Sequence, residues 1–163
     1  MIFEYNYKIN IPQINPDKNR AVFKVKKMLP EYVFDTSQLE NNPITFPEVK
    51  TLIDGISIGG HKISDVEQVL NIKTAWLMLI ETVENNNFGV TRELFHNANG
   101  LIAREESLDW DRFRNGNVGI AGTKFYKAPN SEELDNIFDS ELTVVLNGFN
   151  PVEHAIRLSS GVR

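Results

Sequence analysis

Between Val66 and Ile80 apolar side chains return at helical spacing. Val66, Val69, Leu70, Trp76, Leu77 and Ile80 lie with Lys73 along one face of a long helix. Ser64-Asp65-Val66-Glu67 has the form of a capping box, in which a hydroxyl and a carboxylate each satisfy an orphan backbone donor. A helix of this length with one broad apolar stripe draws its stability from elements packed over that stripe. The rest of the chain must supply them.

It supplies mostly helices. Thr45 or Phe46 precedes Pro47, and Val49, Leu52 and Ile53 predict a short helix ended by Gly55, a residue suited to the left-handed C′ position. Thr91 caps a helix with Leu94, Phe95 and Ala98 inward, which Gly100 is expected to break. Ser131 opens another through Leu134, Ile137, Phe138, Leu142, Val145 and Leu146, and Asn150-Pro151 opens a last one through Ala155 and Leu158. Upstream, Asn15 caps a helix with Pro16 at its first position. Ala21, Val22, Val25, Met28 and Leu29 form its stripe, and Pro30 stops it. Residues 30–46 are polar, carry Asn41-Asn42-Pro43 and read as a connection, which sets a boundary near Thr45: an N-terminal arm plus helix over 1–45 and the main unit over 46–163.

Two segments depart from the helical pattern. Phe3, Tyr5, Tyr7, Ile9 and Ile11 alternate with polar residues as far as Pro12, the period of a half-buried strand or extended arm. Val118-Gly119-Ile120-Ala121, then Gly122-Thr123, then Lys124-Phe125-Tyr126-Lys127 read as a β-hairpin ended by Pro129. The expected fold class is therefore mainly α, a helical bundle carrying one β-hairpin. Two strands alone are marginal in water, so the hairpin either leans on the helices or takes a partner strand at its free edge, from a target or from a second copy of the chain.

The 163 residues have the length of one domain, and 41% hydrophobic with 24% charged side chains is an ordinary globular balance. With 22 acidic against 17 basic residues the net charge is −5, which argues against a dedicated nucleic-acid binder. The absence of cysteine excludes disulfides, thiol nucleophiles and cysteine-ligated zinc. Met1-Ile2-Phe3-Glu4-Tyr5-Asn6 has neither a basic nor an apolar leader region, and no apolar run reaches the roughly 18–20 residues of a membrane span. A cytoplasmic protein without a membrane partner is expected.

Local motifs give little chemistry. Gly55 to Lys62 approaches a phosphate loop, but His61 separates Gly60 from Lys62 and the segment reads as a turn. Gly116, Gly119 and Gly122 do not form a dinucleotide fingerprint, because no crossover helix opens behind them. His61, His96 and His154 share no metal-ligand spacing, and Asp109 and Asp111 around Trp110 read as solvated or capping acids rather than a catalytic pair. No catalytic residue and no metal site follow from these residues.

The order of the segments is more informative. Ile53-Asp54-Gly55, then Val66-Glu67-Gln68-Val69-Leu70-Asn71 with Ala75, then Leu94-Phe95-His96, then Phe113-Arg114 with Val118 to Gly122, then Asn150-Pro151-Val152-Glu153-His154-Ala155 together resemble the Fic family over about residues 47–163. The resemblance implies a bacterial protein of helical fold with one β-hairpin, the flap. It also implies an enzyme that moves AMP from ATP, with Mg2+, onto a Ser, Thr or Tyr hydroxyl of a target protein. On this resemblance Val118, Gly119, Ile120, Ala121, Lys124, Phe125 and Tyr126 are the target-binding flap, acting by β-strand addition.

The defining motif of that family, H-x-F-x-[DE]-G-N-x-x-R, supplies a base, a magnesium ligand, phosphate-binding amides and an arginine clamp. It does not occur in these residues, and the family order places it just beyond Arg163. The chain thus resembles a Fic domain that is incomplete at its C-terminus, either part of a nucleotidyltransferase or a non-catalytic regulatory or interaction module, and no ATP or Mg2+ is expected on it. Asp54-Gly55 falls where many family members end an inhibitory helix of pattern [ST]-x-x-x-E-[GN], although Lys50 stands at the hydroxyl position and aspartate replaces glutamate.

Overall fold

The computed structural model describes residues 17–104, 108–119 and 127–147. Six α-helices follow in order: α1 (Lys18–Lys27), α2 (Leu29–Leu39), α3 (Phe46–Ile53), α4 (Ile63–Glu84), α5 (Arg92–Ile102) and α6 (Leu134–Asn147), the last preceded by a 3-10 turn over Ser131–Glu133. The long helix α4 is the axis of the assembly, with α1, α2, α3 and α5 packed against it.

The starts and stops have local causes. Asp17 caps α1 by accepting a hydrogen bond from the Arg20 backbone N–H at 3.0 Å. Glu48 and Thr45 form the capping box of α3, and Glu133 with Asn130 forms that of the 3-10 turn. Three helices end alike. Asn41 (φ 57°), Gly55 (φ 83°) and Asn86 (φ 57°) adopt the left-handed conformation after α2, α3 and α4. The next residue in each case bonds back into the helix: Asn42 N–H to Ser37 O, Ile56 N–H to Thr51 O and Asn87 N–H to Thr82 O, at 3.1, 3.1 and 2.9 Å. These closures satisfy carbonyls that a helix end otherwise leaves to water.

The core lies between α2, α3 and α4. Leu29 and Val33 from α2, Ile44 before α3, Val49 and Leu52 from α3, and Val69, Ile72 and Ile80 from α4 form one buried apolar cluster. Asn42 is buried beside it, 5% exposed, and is fully engaged. Its side-chain amide donates to Asp65 O (2.9 Å) and Gln68 Oε1 (2.7 Å), its Oδ1 accepts from Ile44 N–H (3.0 Å), and its carbonyl accepts from the Gln38 amide (2.9 Å). One asparagine therefore joins the α2–α3 connection to α4, and loss of any partner would strand a buried polar group.

Several sequence expectations are corrected. Residues 30–46 are not a connection: α2 occupies Leu29–Leu39, with Pro30 in its first turn, where a missing N–H costs nothing, so the proline starts a helix rather than only ending one. Met28 closes α1 and opens α2. The first helix starts at Lys18 under an Asp17 cap, not under Asn15. Lys62 stands at the N-cap of α4 and Ser64 lies inside the helix, so no capping box forms there. Leu70 and Leu77 face outward on α4, and Ile72 and Ala75 take the buried positions. Gly100 does not break α5 but lies within it, because a Cβ there would meet Asp111 Cβ at 2.9 Å. Its role is close approach.

The expected β-hairpin is the largest correction. The described residues contain no strand. Val118 and Gly119 lie in irregular backbone, with Val118 exposed, and residues 127–130 are irregular as well. Side chains tie the two described flanks: the Arg114 guanidinium donates to Pro129 O (2.5 Å), and Ser131 N–H donates to Asn117 Oδ1 (2.9 Å). Ile120, Ala121, Lys124, Phe125 and Tyr126 lie outside the described residues, as do the alternating segment up to Ile11 and the helix expected from Asn150.

Candidate functional site

Two groups of polar side chains are built by this framework. The first surrounds the turn between α3 and α4. Glu48, in the first turn of α3, accepts at one carboxylate oxygen from the Thr45 N–H (2.9 Å) and the Thr45 hydroxyl (2.6 Å). Its other oxygen meets His61 Nε2 at 2.9 Å. The Thr45 hydroxyl foremost, then His61, hold the Glu48 carboxyl down from 4.5 to about 2. The carboxylate thus stays charged over the whole physiological range and fixes the far end of the Gly55–Lys62 turn to the start of α3.

At the other end of the same turn, Lys73 of α4 donates to Ile53 O at 3.0 Å and covers a terminal carbonyl of α3. Asp54 is the C-cap residue of α3, and Gly55 takes the left-handed position behind it. Gly60 (φ 85°) makes the second bend. The Gly55–Lys62 segment is a turn clamped at both ends, in line with its sequence.

The second group centres on Arg92 at the start of α5. Its guanidinium pairs with Asp135 and with Asp139 of α6 (2.6 Å to the latter) and lies 5.9 Å from the ring centres of both Phe113 and Phe138. The Asp139 carboxylate raises the Arg92 pKa further. Phe95 and Phe113 meet Phe138 at 5.3 and 5.5 Å, and His96 stands edge-on to Phe113 at 4.8 Å. Offset and edge-on ring pairs of this kind, with a cation on their faces, form a compact latch between α5, α6 and the segment around Phe113.

His96 is therefore a packed helix residue, in agreement with its sequence context. Asp109 and Asp111 serve the loop: Asp109 accepts from Asn115 N–H (3.2 Å) and pairs with Arg112, while Asp111 adopts φ 63° against Gly100. Val118 and Gly119 lie in irregular, exposed backbone and make no side-chain hydrogen bond, ion pair or ring contact with either group, and His154 lies outside the described residues. Among the described residues no three His, Asp or Glu side chains could together hold a metal ion. No described helix is long and apolar enough to cross a membrane.

The roles of Arg92, Asp135 and Asp139 are absent from the sequence reading. The spacing of Asp135 and Asp139 puts two carboxylates on one helix face, a signal for a cationic partner, but its identity lies 43 residues away.

No protein-family model and no curated protein matches the sequence. Among solved structures, the fold is similar to the crystal structure of a Fic family protein from Desulfovibrio desulfuricans G20, with a TM-score of 0.60 at 21% identity. The match covers 78% of this chain and 38% of that one, so the chain spans well under half the length of the structure it matches. The helical framework is that of a Fic-like fold.

Proposed function

We propose that this chain is the helical framework of a Fic-type protein nucleotidyltransferase, an enzyme that transfers AMP from ATP onto a Ser, Thr or Tyr hydroxyl of a target protein. The observation that carries the reading is the shared fold, at a TM-score of 0.60 over 78% of the chain. The ordered segments from Ile53-Asp54-Gly55 to Phe113-Arg114 lend it support in sequence. In this reading the helices are a scaffold, and phosphate positioning belongs to an H-x-F-x-[DE]-G-N-x-x-R loop that these 163 residues do not contain.

ATP and Mg2+ are the cofactors of the complete enzyme in this reading. The described residues offer no ligand set that fits the metal. Asp54 and Gly55 take the part of an inhibitory helix end. The support is local: the Lys73 bond to Ile53 O and the left-handed Gly55 hold the backbone around Asp54 in one place.

A second reading, a non-catalytic Fic-like regulatory or interaction module, is favoured by one observation. Among the described residues, His61 is engaged by Glu48, His96 packs on Phe113, and Asp109 serves its own loop. AMP transfer from labelled ATP with Mg2+, to the chain itself or to a lysate, tests the scaffold reading. No labelling above a heat-denatured control is expected from the 163 residues alone, and clear labelling would contradict it. The coding sequence after the Arg163 codon separates the two readings: an in-frame catalytic motif supports the enzyme, and a stop codon supports the module.

A further inference from the structure

The first helix carries a surface that neither reading uses. Within α1, Lys18, Arg20, Lys24, Lys26 and Lys27 are basic and no residue is acidic, in a chain whose net charge is −5. The five cations divide by face. Val22 and Val25 pack against the apolar core, and Lys18 and Lys26 follow them to the C-terminal end of α4. There Lys18 donates to Glu84 O (3.2 Å) and Asn86 Oδ1 (2.7 Å), and Lys26 pairs with Glu84 at 2.6 Å. Arg20, Phe23, Lys24 and Lys27 have the i, i+3, i+4, i+7 spacing of the opposite face. All four are exposed, Phe23 at 69%, and the three cations have no partner among the described residues.

Phe23 also borders a groove of about 400 Å3 between α1 and the end of α4, whose other walls include Val22, Lys18, Lys26 and Glu84. Cations beside an aromatic wall and an open groove make a two-part surface: a charged stripe about 10 Å long and a seat for one apolar side chain. We propose that this face of α1 is a docking site for an acidic segment of a protein partner that carries an apolar anchor residue. The stripe supplies the charge complementarity and the groove beside Phe23 takes the anchor. This surface stands apart from the Fic-type reading and does not depend on it.

Single-stranded nucleic acid is the competing polyanion, and the surface suits it less. Such strands are held by successive stacking aromatics along an extended basic track, whereas this stripe offers one phenylalanine and three cations. The net charge of −5 also repels a long polyanion more than a short acidic peptide.

Fluorescence anisotropy with the 163-residue chain tests the proposal. The probe is a short labelled peptide in which leucines are set among glutamates. Its comparators are the same peptide with glutamines for glutamates, and an oligothymidylate. The acidic peptide is expected to bind, and to weaken as salt shortens the range of the charges. The triple variant Arg20→Glu/Lys24→Glu/Lys27→Glu should lower affinity about tenfold or more, Phe23→Ala should lower it several-fold, and Lys50→Glu on α3 should leave it unchanged. Circular dichroism checks that each variant keeps its helices, and the salt titration and glutamine comparator need no variant at all. Absence of binding to the acidic peptide, binding indifferent to salt and glutamate content, or tighter capture of the oligothymidylate would overturn the proposal.

Discussion

Residues 29–80 and residues 88–147 are both largely helical, yet different forces hold them. Every buried residue among those described lies between Leu29 and Ile80, where three helices close over an apolar cluster. In the second region no described residue is buried, and α5, α6 and the Phe113 segment meet through Arg92, its two aspartates and a set of edge-on and tilted rings. The regions meet where α5 packs along α4, with Ile102 of α5 resting on the core from outside. An apolar core excludes water and resists salt, whereas a half-buried latch whose ion pairs face solvent is open to both.

The contrast breaks most readily at the core. Ile72→Ala, at a fully buried position, should destabilise the chain by about 2–5 kcal/mol. Chemical denaturation followed by circular dichroism measures it. Asn42→Ala comes next. It strands Ile44 N–H in the interior, cuts the tie from the α2–α3 connection to α4, and should cost about 1–3 kcal/mol, read from the same denaturation curves. In the second region Gly100→Ala forces a methyl group to within 2.9 Å of Asp111 Cβ. The loop must move, at about 1–3 kcal/mol, and the amide spectrum should change around Asp111 while the α2–α4 resonances stay in place.

Smaller effects sharpen the comparison. Arg92→Ala removes the hub of the latch and should speed hydrogen exchange in α6 several-fold with almost no change in global melting. An equal loss in α4 would mean that the two regions are one cooperative unit. The last effect concerns pH. Glu48 titrates near 2 in the fold against an ordinary 4.5, so its contribution is complete above about pH 4.5 and is lost as pH falls towards 2. Carboxyl chemical shifts should show that low midpoint, and Thr45→Ala should raise it, because the Thr45 hydroxyl is the largest cause.

The sequence speaks plainly where burial and periodicity coincide. Helix α4 and part of its stripe (Val69 and Ile80), the Thr45 start and Gly55 end of α3, the Thr91 cap of α5 and the run after Ser131 are legible, while Leu70 and Leu77 of that stripe face outward. Helix α2 is obscured because its buried stripe reads Leu29, Val33, Ser37, with a serine that satisfies itself on Phe34 O, and because Pro30 looks like a stop. Gly100 misleads for a similar reason. A glycine needed for close approach carries the same letter as one that ends a helix. The Arg92 latch leaves only a partial trace: Asp135 and Asp139 share a helix face, but their partner and the rings around it are scattered from Arg92 to Phe138. The order Val118–Ala121, Gly122-Thr123, Lys124–Lys127 suggests a hairpin, but the described flanks are tied by Arg114 and Asn117 side chains, which a hydrophobic pattern does not encode.

Native-state hydrogen exchange on the unmodified chain, at low and at high salt, tests this division most directly. Amides in the middle of α2 and α4 should exchange only through global unfolding, indifferent to salt, while those of α6 exchange through local opening that salt accelerates. Protection of α6 equal to that of α4 at both salt concentrations would contradict the account.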